Sequence, residues 1–159
     1  RMLADLLAPS DGTIEWRIDG ADVDRDRLRK HVGLVAPYLQ LYTEFSAWEH
    51  AVMVQDLRGL PFDESYALSL FNALDLAGRR DDRLSEYSSG MLQRVRFICA
   101  LVHSPSFLFL DEPTTNLDTT GIAMVHSLIR SGARERVTVI ATNEPEDLAV
   151  CTKRLELTV

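Results

Sequence analysis

Apolar and polar positions along the 159-residue chain change their period several times, and each change predicts an element. Residues 2–7, with Met2, Leu3, Leu6 and Leu7, read as the end of a helix stopped by Pro9-Ser10-Asp11-Gly12. Ile14, Trp16 and Ile18 alternate with Glu15 and Arg17, which predicts a half-buried strand closed by Asp19-Gly20. A short helix over 22–29 and a buried strand over 32–36 follow. The middle reads as three helices. The first, 45–57, carries Phe45, Trp48, Val52 and Leu57 at near-helical spacing, and the second covers 64–76. In the third, 89–103, Met91, Leu92, Val95, Ile98, Cys99 and Val102 form one stripe. Alternation of strand and helix then returns. An apolar strand spans 107–110, a helix 119–130 turns Ile122, Val125, Leu128 and Ile129 inward, and a buried strand spans 137–141. A short helix and a last strand over 154–158 close the pattern. Continuous apolar strands between helices imply a parallel sheet covered on both faces, so the expected class is α/β with a helical insert.

Composition narrows the function. At 46% hydrophobic and 26% charged residues the chain can bury a core and stay soluble, which excludes a disordered or disulfide-scaffold class. No repeat or linker divides it, so one domain is expected. Seventeen basic against 24 acidic residues leave a net charge of −7, and no nucleic-acid partner is expected. Cys99 and Cys151 stand among apolar neighbours in no metal-spaced pair and read as inert thiols. His31, His50, His103 and His126 are scattered singly, so a zinc site is not expected. Asp22-Val23-Asp24-Arg25-Asp26 imitates a calcium loop, but Arg27 and Gly33 stand where its Gly and bidentate Glu belong. Arg79-Arg80-Asp81-Asp82 reads as a surface charge cluster. No apolar run approaches the roughly 20 residues of a membrane span, and Arg1-Met2-Leu3-Ala4-Asp5 has no signal-peptide pattern.

The chemistry concentrates in Phe107-Leu108-Phe109-Leu110-Asp111-Glu112-Pro113. A buried strand delivers two consecutive carboxylates to its carboxyl end, where open α/β sheets place their ligands. There Asp111 can hold Mg²⁺ on a nucleotide, and Glu112, turned the other way by strand alternation, can polarise an attacking water. The alternative is an acidic turn ending a strand. Twenty-three residues before Asp111, Ser88-Ser89-Gly90-Met91 opens a helix, whose free N–H groups and dipole favour an anion. Gly90 would allow a phosphate to come close.

Taken in one register, residues 87–118 resemble the signature, Walker B and D-loop segments of an ABC-family ATPase. The resemblance extends over nearly the whole chain. Residues 2–12 are similar to the helix leaving the phosphate loop, 32–49 to the Q-loop region entering the helical subdomain, and 137–144 to the strand and turn of the switch histidine. It implies a P-loop NTPase-like ABC ATPase domain over 1–159, with a helical subdomain at about 45–103. It also implies a transporter's ATP-binding subunit that uses ATP and Mg²⁺, works as a head-to-tail dimer with a second ATPase domain, and drives a membrane-spanning subunit from the cytoplasmic face. In that dimer Ser88, Ser89, Gly90 and Met91 would meet the partner's nucleotide, and Asp118 would lie at the seam. Glu112 would be the general base and Asp111 the metal ligand. The aromatic segment holding Tyr38, Tyr42, Phe45 and Trp48 would receive the membrane subunit. The rival reading within the resemblance is a soluble ABC protein of translation or DNA maintenance, or a non-catalytic remnant.

Three departures bear on activity. No G-x-x-x-x-G-K-[ST] occurs, since Lys30 follows Arg29 and Lys153 follows Thr152. The expectation is a chain beginning just past that loop. It would lack the N-terminal strands, hold half of one ATP site, be inactive alone, and be unstable, swapped or oligomeric through unpaired strand edges. The Q-loop glutamine's place falls on Pro37, with Gln40 three residues on as its possible substitute. Asn143 stands where the family has its switch histidine. Its amide can donate to a γ-phosphate but carries no charge, so hydrolysis is expected to be slow.

Overall fold

The computed structural model describes residues 2–156. Its centre is a parallel sheet of β3 (Val32–Val35), β4 (Phe107–Asp111) and β5 (Val137–Ala141) in the order β3-β4-β5. The most continuously apolar strand, β4, takes the middle. Before the sheet, β1 (Arg17–Ile18) and β2 (Ala21–Asp22) form a hairpin whose Asp19 and Gly20 both adopt positive φ, the backbone a two-residue turn requires. The strand expected from Ile14 is paired only at its end, although Ile14, Trp16 and Ile18 are all half-buried as the alternation required. Helix α1 (Arg25–Leu28) starts at Asp24, whose carboxylate accepts from the Arg27 N–H, so the apparent calcium loop is a helix cap.

Parallel pairing sets Gly33, Leu108 and Thr138 side by side, and likewise Val35, Leu110 and Ile140. This face packs on α4 (Ser89–Leu101) and shares a core with Val125 and Ile129 of α5 (Thr119–Ser131). The opposite face carries Leu34, Phe109 and Val139. There Val137 is 57% and Val139 37% exposed, and no described helix covers them. The expectation of a sheet buried on both faces therefore holds for one face only. Residues 2–7 lie in turns rather than a helix, with Asp5 at positive φ and Leu6 and Leu7 exposed, so they shield the second face only in part. Residues 154–156 form no strand, and 157 and 158 of the expected last strand lie outside the described residues. A turn of 3₁₀ helix, Pro145–Val150, follows β5.

The helical middle corrects one stripe. Helix α2 (Ala47–Arg58) buries Ala47, His50, Ala51 and Gln55, whereas Phe45 and Leu57 are exposed and Trp48 and Val52 half-buried. The two alanines allow close approach to α4, and of the polar pair His50 is satisfied locally, while Gln55 Oε1 is buried with no hydrogen-bond partner among the described residues. His50 Nε2 accepts the Tyr42 N–H at 3.0 Å, so Nδ1 is the donor to Ser46 C=O at 2.9 Å. Gln55 donates to Val102 C=O. Ser46 and Glu49 form a reciprocal cap, and Gly59 ends the helix in the left-handed region. Trp48 packs edge-on against Phe62, under the guanidinium of Arg80. Helix α3 (Glu64–Ala73) ends three residues short of the expected stretch. In α4 burial runs nearly all round, adding Phe97, Ala100 and Leu101 to the expected Val95 and Ile98. Burial pushes the Cys99 thiol up to about 12, which disfavours the thiolate form.

A Cβ on Gly33 would collide with the Ala100 carbonyl oxygen. Gly33→Ala is expected to cost about 3 kcal/mol, read as a lowered urea midpoint at constant slope. His103 is buried, donates through Nε2 to Val32 C=O and leaves Nδ1 without a partner. Burial, assisted by Arg58, lowers its pKa from 6.5 to about 4. The unfolded chain takes up that proton first, so stability is full above pH 6.5 and falls as pH drops toward 4. His103→Gln is expected to flatten this window in unfolding curves measured from pH 7 to 4.

Candidate functional site at the carboxyl edge of the sheet

The parallel register sets Asp111 beside Ala141, so whatever follows β4 meets whatever follows β5. Glu112 takes φ of +49°, a left-handed conformation unusual for a side-chain-bearing residue, and its N–H donates to Ala141 C=O at 2.8 Å. This kink, rather than simple strand alternation, aims its carboxylate. Glu112 Oε1 accepts from the Asn143 side-chain amide at 3.0 Å and from the Asn143 N–H at 3.2 Å. Two residues 31 apart in sequence, both expected to be catalytic, are thus brought together.

Asp111 points to the open face of the sheet, where it lines a shallow pocket of about 130 Å³ with Leu34, Tyr38, Phe109, Val139 and Ala141. Its carboxylate is half-buried and receives no hydrogen bond from the described residues. A Mg²⁺ carried on nucleotide phosphates takes one or two protein carboxylates and keeps several waters. A single unengaged carboxylate fits that requirement. No group of three acidic, His or Cys residues among the described residues would hold a metal unaided. Gln40 is exposed and does not line this pocket, whereas Tyr38 does. Pro37 sits in a turn closed by Leu39 N–H to Ala36 C=O.

Behind Glu112 lies a polar cluster that sequence reasoning missed. Asp147, fully buried, accepts from the Thr142 hydroxyl at 2.8 Å and the Thr114 hydroxyl at 3.1 Å, and meets His126 Nε2 at 3.0 Å. One signal existed. His126 extends the inward stripe of Ile122, Val125 and Ile129 at helical spacing, so it had to be buried and had to find a partner.

The signature segment lies at the start of α4. Ser88 is its N-cap, accepting the Met91 N–H, and Ser88 and Ser89 are exposed. A Cβ on Gly90 would meet the Asn116 carbonyl oxygen at 3.0 Å, so glycine there permits packing against the turn after β4. Asp118 is exposed and caps α5 through the Gly121 N–H. Further along α4, buried Gln93 donates to Pro113 C=O and accepts from Arg96, which also donates to Leu39 C=O. This helix therefore ties the carboxylate turn to the loop after β3.

A parallel α/β sheet presenting an Asp-Glu pair at its carboxyl edge, beside a capped helix with free N–H groups, is the architecture of ABC ATPase domains. A solved structure described as the ATP binding subunit of an ABC transporter superposes with a TM-score of 0.78 over 92% of this chain and 62% of that one, at 22% identity. The family model described as ABC transporter matches residues 1–115. The lipoprotein-releasing system ATP-binding protein LolD of Leptospira interrogans is 34% identical, covering 96% of this chain and 68% of its own. The daunorubicin/doxorubicin resistance ATP-binding protein DrrA of Streptomyces peucetius is 33% identical, covering 94% of this chain and 46% of its own. The chain belongs to the ABC transporter family. It spans about two thirds of the first relative and under half of the second.

Gln93→Leu is expected to leave the buried Pro113 carbonyl and one Arg96 N–H unpaired. The cost should be about 1–3 kcal/mol in chemical denaturation, against near neutrality for exposed Ser89.

Proposed function

We propose that this chain forms part of the ATP-binding subunit of an ABC transporter, in which ATP closes a head-to-tail dimer and hydrolysis reopens it to drive a membrane-spanning partner. The observation that carries the reading is the Glu112–Asn143 pair at the carboxyl edge of the sheet, beside Asp111, whose carboxylate takes no hydrogen bond from the described residues. Glu112 acts as the general base: Asn143 holds its Oε1, and Oε2 receives the proton of the attacking water. Asp111 would hold Mg²⁺, which neutralises charge on the transferred phosphoryl group. Asn143 orients Glu112 and donates to the γ-phosphate, without the charge a protonated histidine could bring. Ser88, Ser89, Gly90 and Met91 clamp the partner's nucleotide and Asp118 contacts the dimer seam. Gln40 reaches the nucleotide only if the loop after β3 moves.

The domain division follows the same reading, with the helical subdomain at about 45–103 and the core α/β unit around it. The membrane partner docks where aromatic and apolar side chains cluster on the surface, at Tyr42, Phe45 and the Trp48, Val52, Met53 and Leu57 side of α2. No described helix is long and apolar enough to cross a membrane, and the proposed location is the cytoplasmic face, held by that partner. The names of the relatives refer to lipoprotein release and to daunorubicin resistance, so the cargo is not assigned. Within these 159 residues no Gly-Lys phosphate loop supplies a β/γ-phosphate lysine, so turnover is sought in the full-length protein and not in this stretch alone.

In the full-length subunit, Glu112→Gln is expected to lower ATP turnover about 100-fold or more while leaving ATP affinity within about threefold. Asn143→His is expected to raise turnover about tenfold. Phosphate-release assays check both, and unchanged turnover in Asn143→His would remove the assigned cause of slow hydrolysis.

A further inference from the structure

We infer that Asp147 is a positioning residue for the hydrolytic site: it draws the Thr142 hydroxyl away from Glu112 and fixes the turn that presents Asn143. The inference rests on the hydrolytic reading of Glu112 given above. Its basis is a competition for one proton. The Thr142 hydroxyl has a single hydrogen to donate and two carboxylates within reach, Asp147 Oδ2 at 2.8 Å and Glu112 Oε2 at 3.4 Å. The shorter contact takes it. Glu112 Oε2 is thereby left open to receive a proton from water, while Asn143 occupies Oε1.

The same hydroxyl oxygen accepts the Glu144 N–H at 2.9 Å, closing a side-chain turn across 142–144. That turn directs both the N–H and the amide of Asn143 at Glu112. Asp147 is itself anchored from three elements. Thr114 follows β4, His126 belongs to α5, and Asp147 rides on the 3₁₀ turn after β5. It is fully buried, and its oxygens accept from Thr142, Thr114 and His126. Displacing the carboxylate would release the Thr142 proton onto Glu112 Oε2 and loosen the turn. An asparagine there keeps a single oxygen as acceptor, so its NH₂ either faces the two hydroxyls or requires His126 to change tautomer.

The test uses the full-length subunit carrying Asp147→Asn, Thr142→Val, Thr142→Ser and the double variant Asp147→Asn/Thr142→Val, with two readouts. In steady-state ATP hydrolysis, Asp147→Asn and Thr142→Val should each lower kcat about tenfold with KM within about twofold. The double variant should be no slower than Thr142→Val, because no hydroxyl remains to redirect, and Thr142→Ser should restore the parent rate. In amide hydrogen exchange, residues 143 and 144 should exchange about tenfold faster in Asp147→Asn and Thr142→Val, but not in Thr142→Ser. Additive losses, a loss confined to KM, or unchanged exchange at 143 and 144 would overturn the inference. If Asp147→Asn does not fold, the Thr142 pair decides the turn through the contrast of valine with serine. A parent protein without turnover would overturn the hydrolytic reading instead, and the exchange data would still decide whether Asp147 holds the turn.

Discussion

The parallel register of β4 and β5 is the constraint on which the site depends. Parallel strands end at the same edge, so the turn after Asp111 and the turn after Ala141 are neighbours whatever lies between them in sequence. The intervening helix is needed to bring the chain back in the same direction, and α5 fills that role with its apolar stripe on the core. Glu112 adds a left-handed kink at the strand end, which costs about 1–3 kcal/mol and is held by the Ala141 carbonyl and the Asn143 contacts. Strain kept in place by its surroundings is one way to aim a carboxylate before substrate arrives.

Polar ties through α4 connect this edge with the rest of the molecule. Gln93 grips Pro113, Arg96 grips Leu39, and Arg94 grips Leu74. Each bond ends on a backbone carbonyl in a different loop. A buried amide or guanidinium that loses such a partner leaves an unsatisfied group behind, so these loops are held to the helix more tightly than apolar packing alone would hold them. Movement of α4 must therefore be felt at the carboxylate turn and at the loop after β3 together. A helix that opens at the proposed nucleotide clamp and ends against the sheet is suited to that coupling.

The two faces of the sheet differ. One is sealed by α4 and α5, with Gly33 admitting the Ala100 carbonyl too closely for any side chain. The other bears Asp111 among Leu34, Phe109 and Val139 and stays partly open. Asp111 takes no hydrogen bond from the described residues and stands on a thinly covered apolar surface, whereas a carboxylate on the sealed face would be shut off from solvent.

Much of this was legible in the sequence because local rules suffice for it. Periodicity predicted β3, β4, β5 and α5 nearly to their ends. Ser88, Asp118 and Asp24 show the capping chemistry that starts helices, and the Asp111-Glu112 pair at the end of an apolar run marked the site. The stripe through Phe45, Trp48, Val52 and Leu57 failed because close packing of α2 selected Ala47 and Ala51 over larger side chains. Burial at a helix contact is decided by approach distance as well as by hydrophobicity. Val137 and Val139, also expected to be buried, are exposed for a different reason, since a β-branched run is read as buried wherever it occurs. The Asp147 cluster was invisible for a third reason. Its members, Thr114, His126 and the pair Thr142 and Asp147, come from three separate segments with no shared period, and a hydrogen bond carries no signature along the chain. What the sequence determined by itself was the set of elements and the chemistry at their ends. Only the tertiary structure decided which carboxylate stays open and which hydroxyl proton goes where, because those choices turn on differences of a few tenths of an ångström between atoms that meet only in the folded chain.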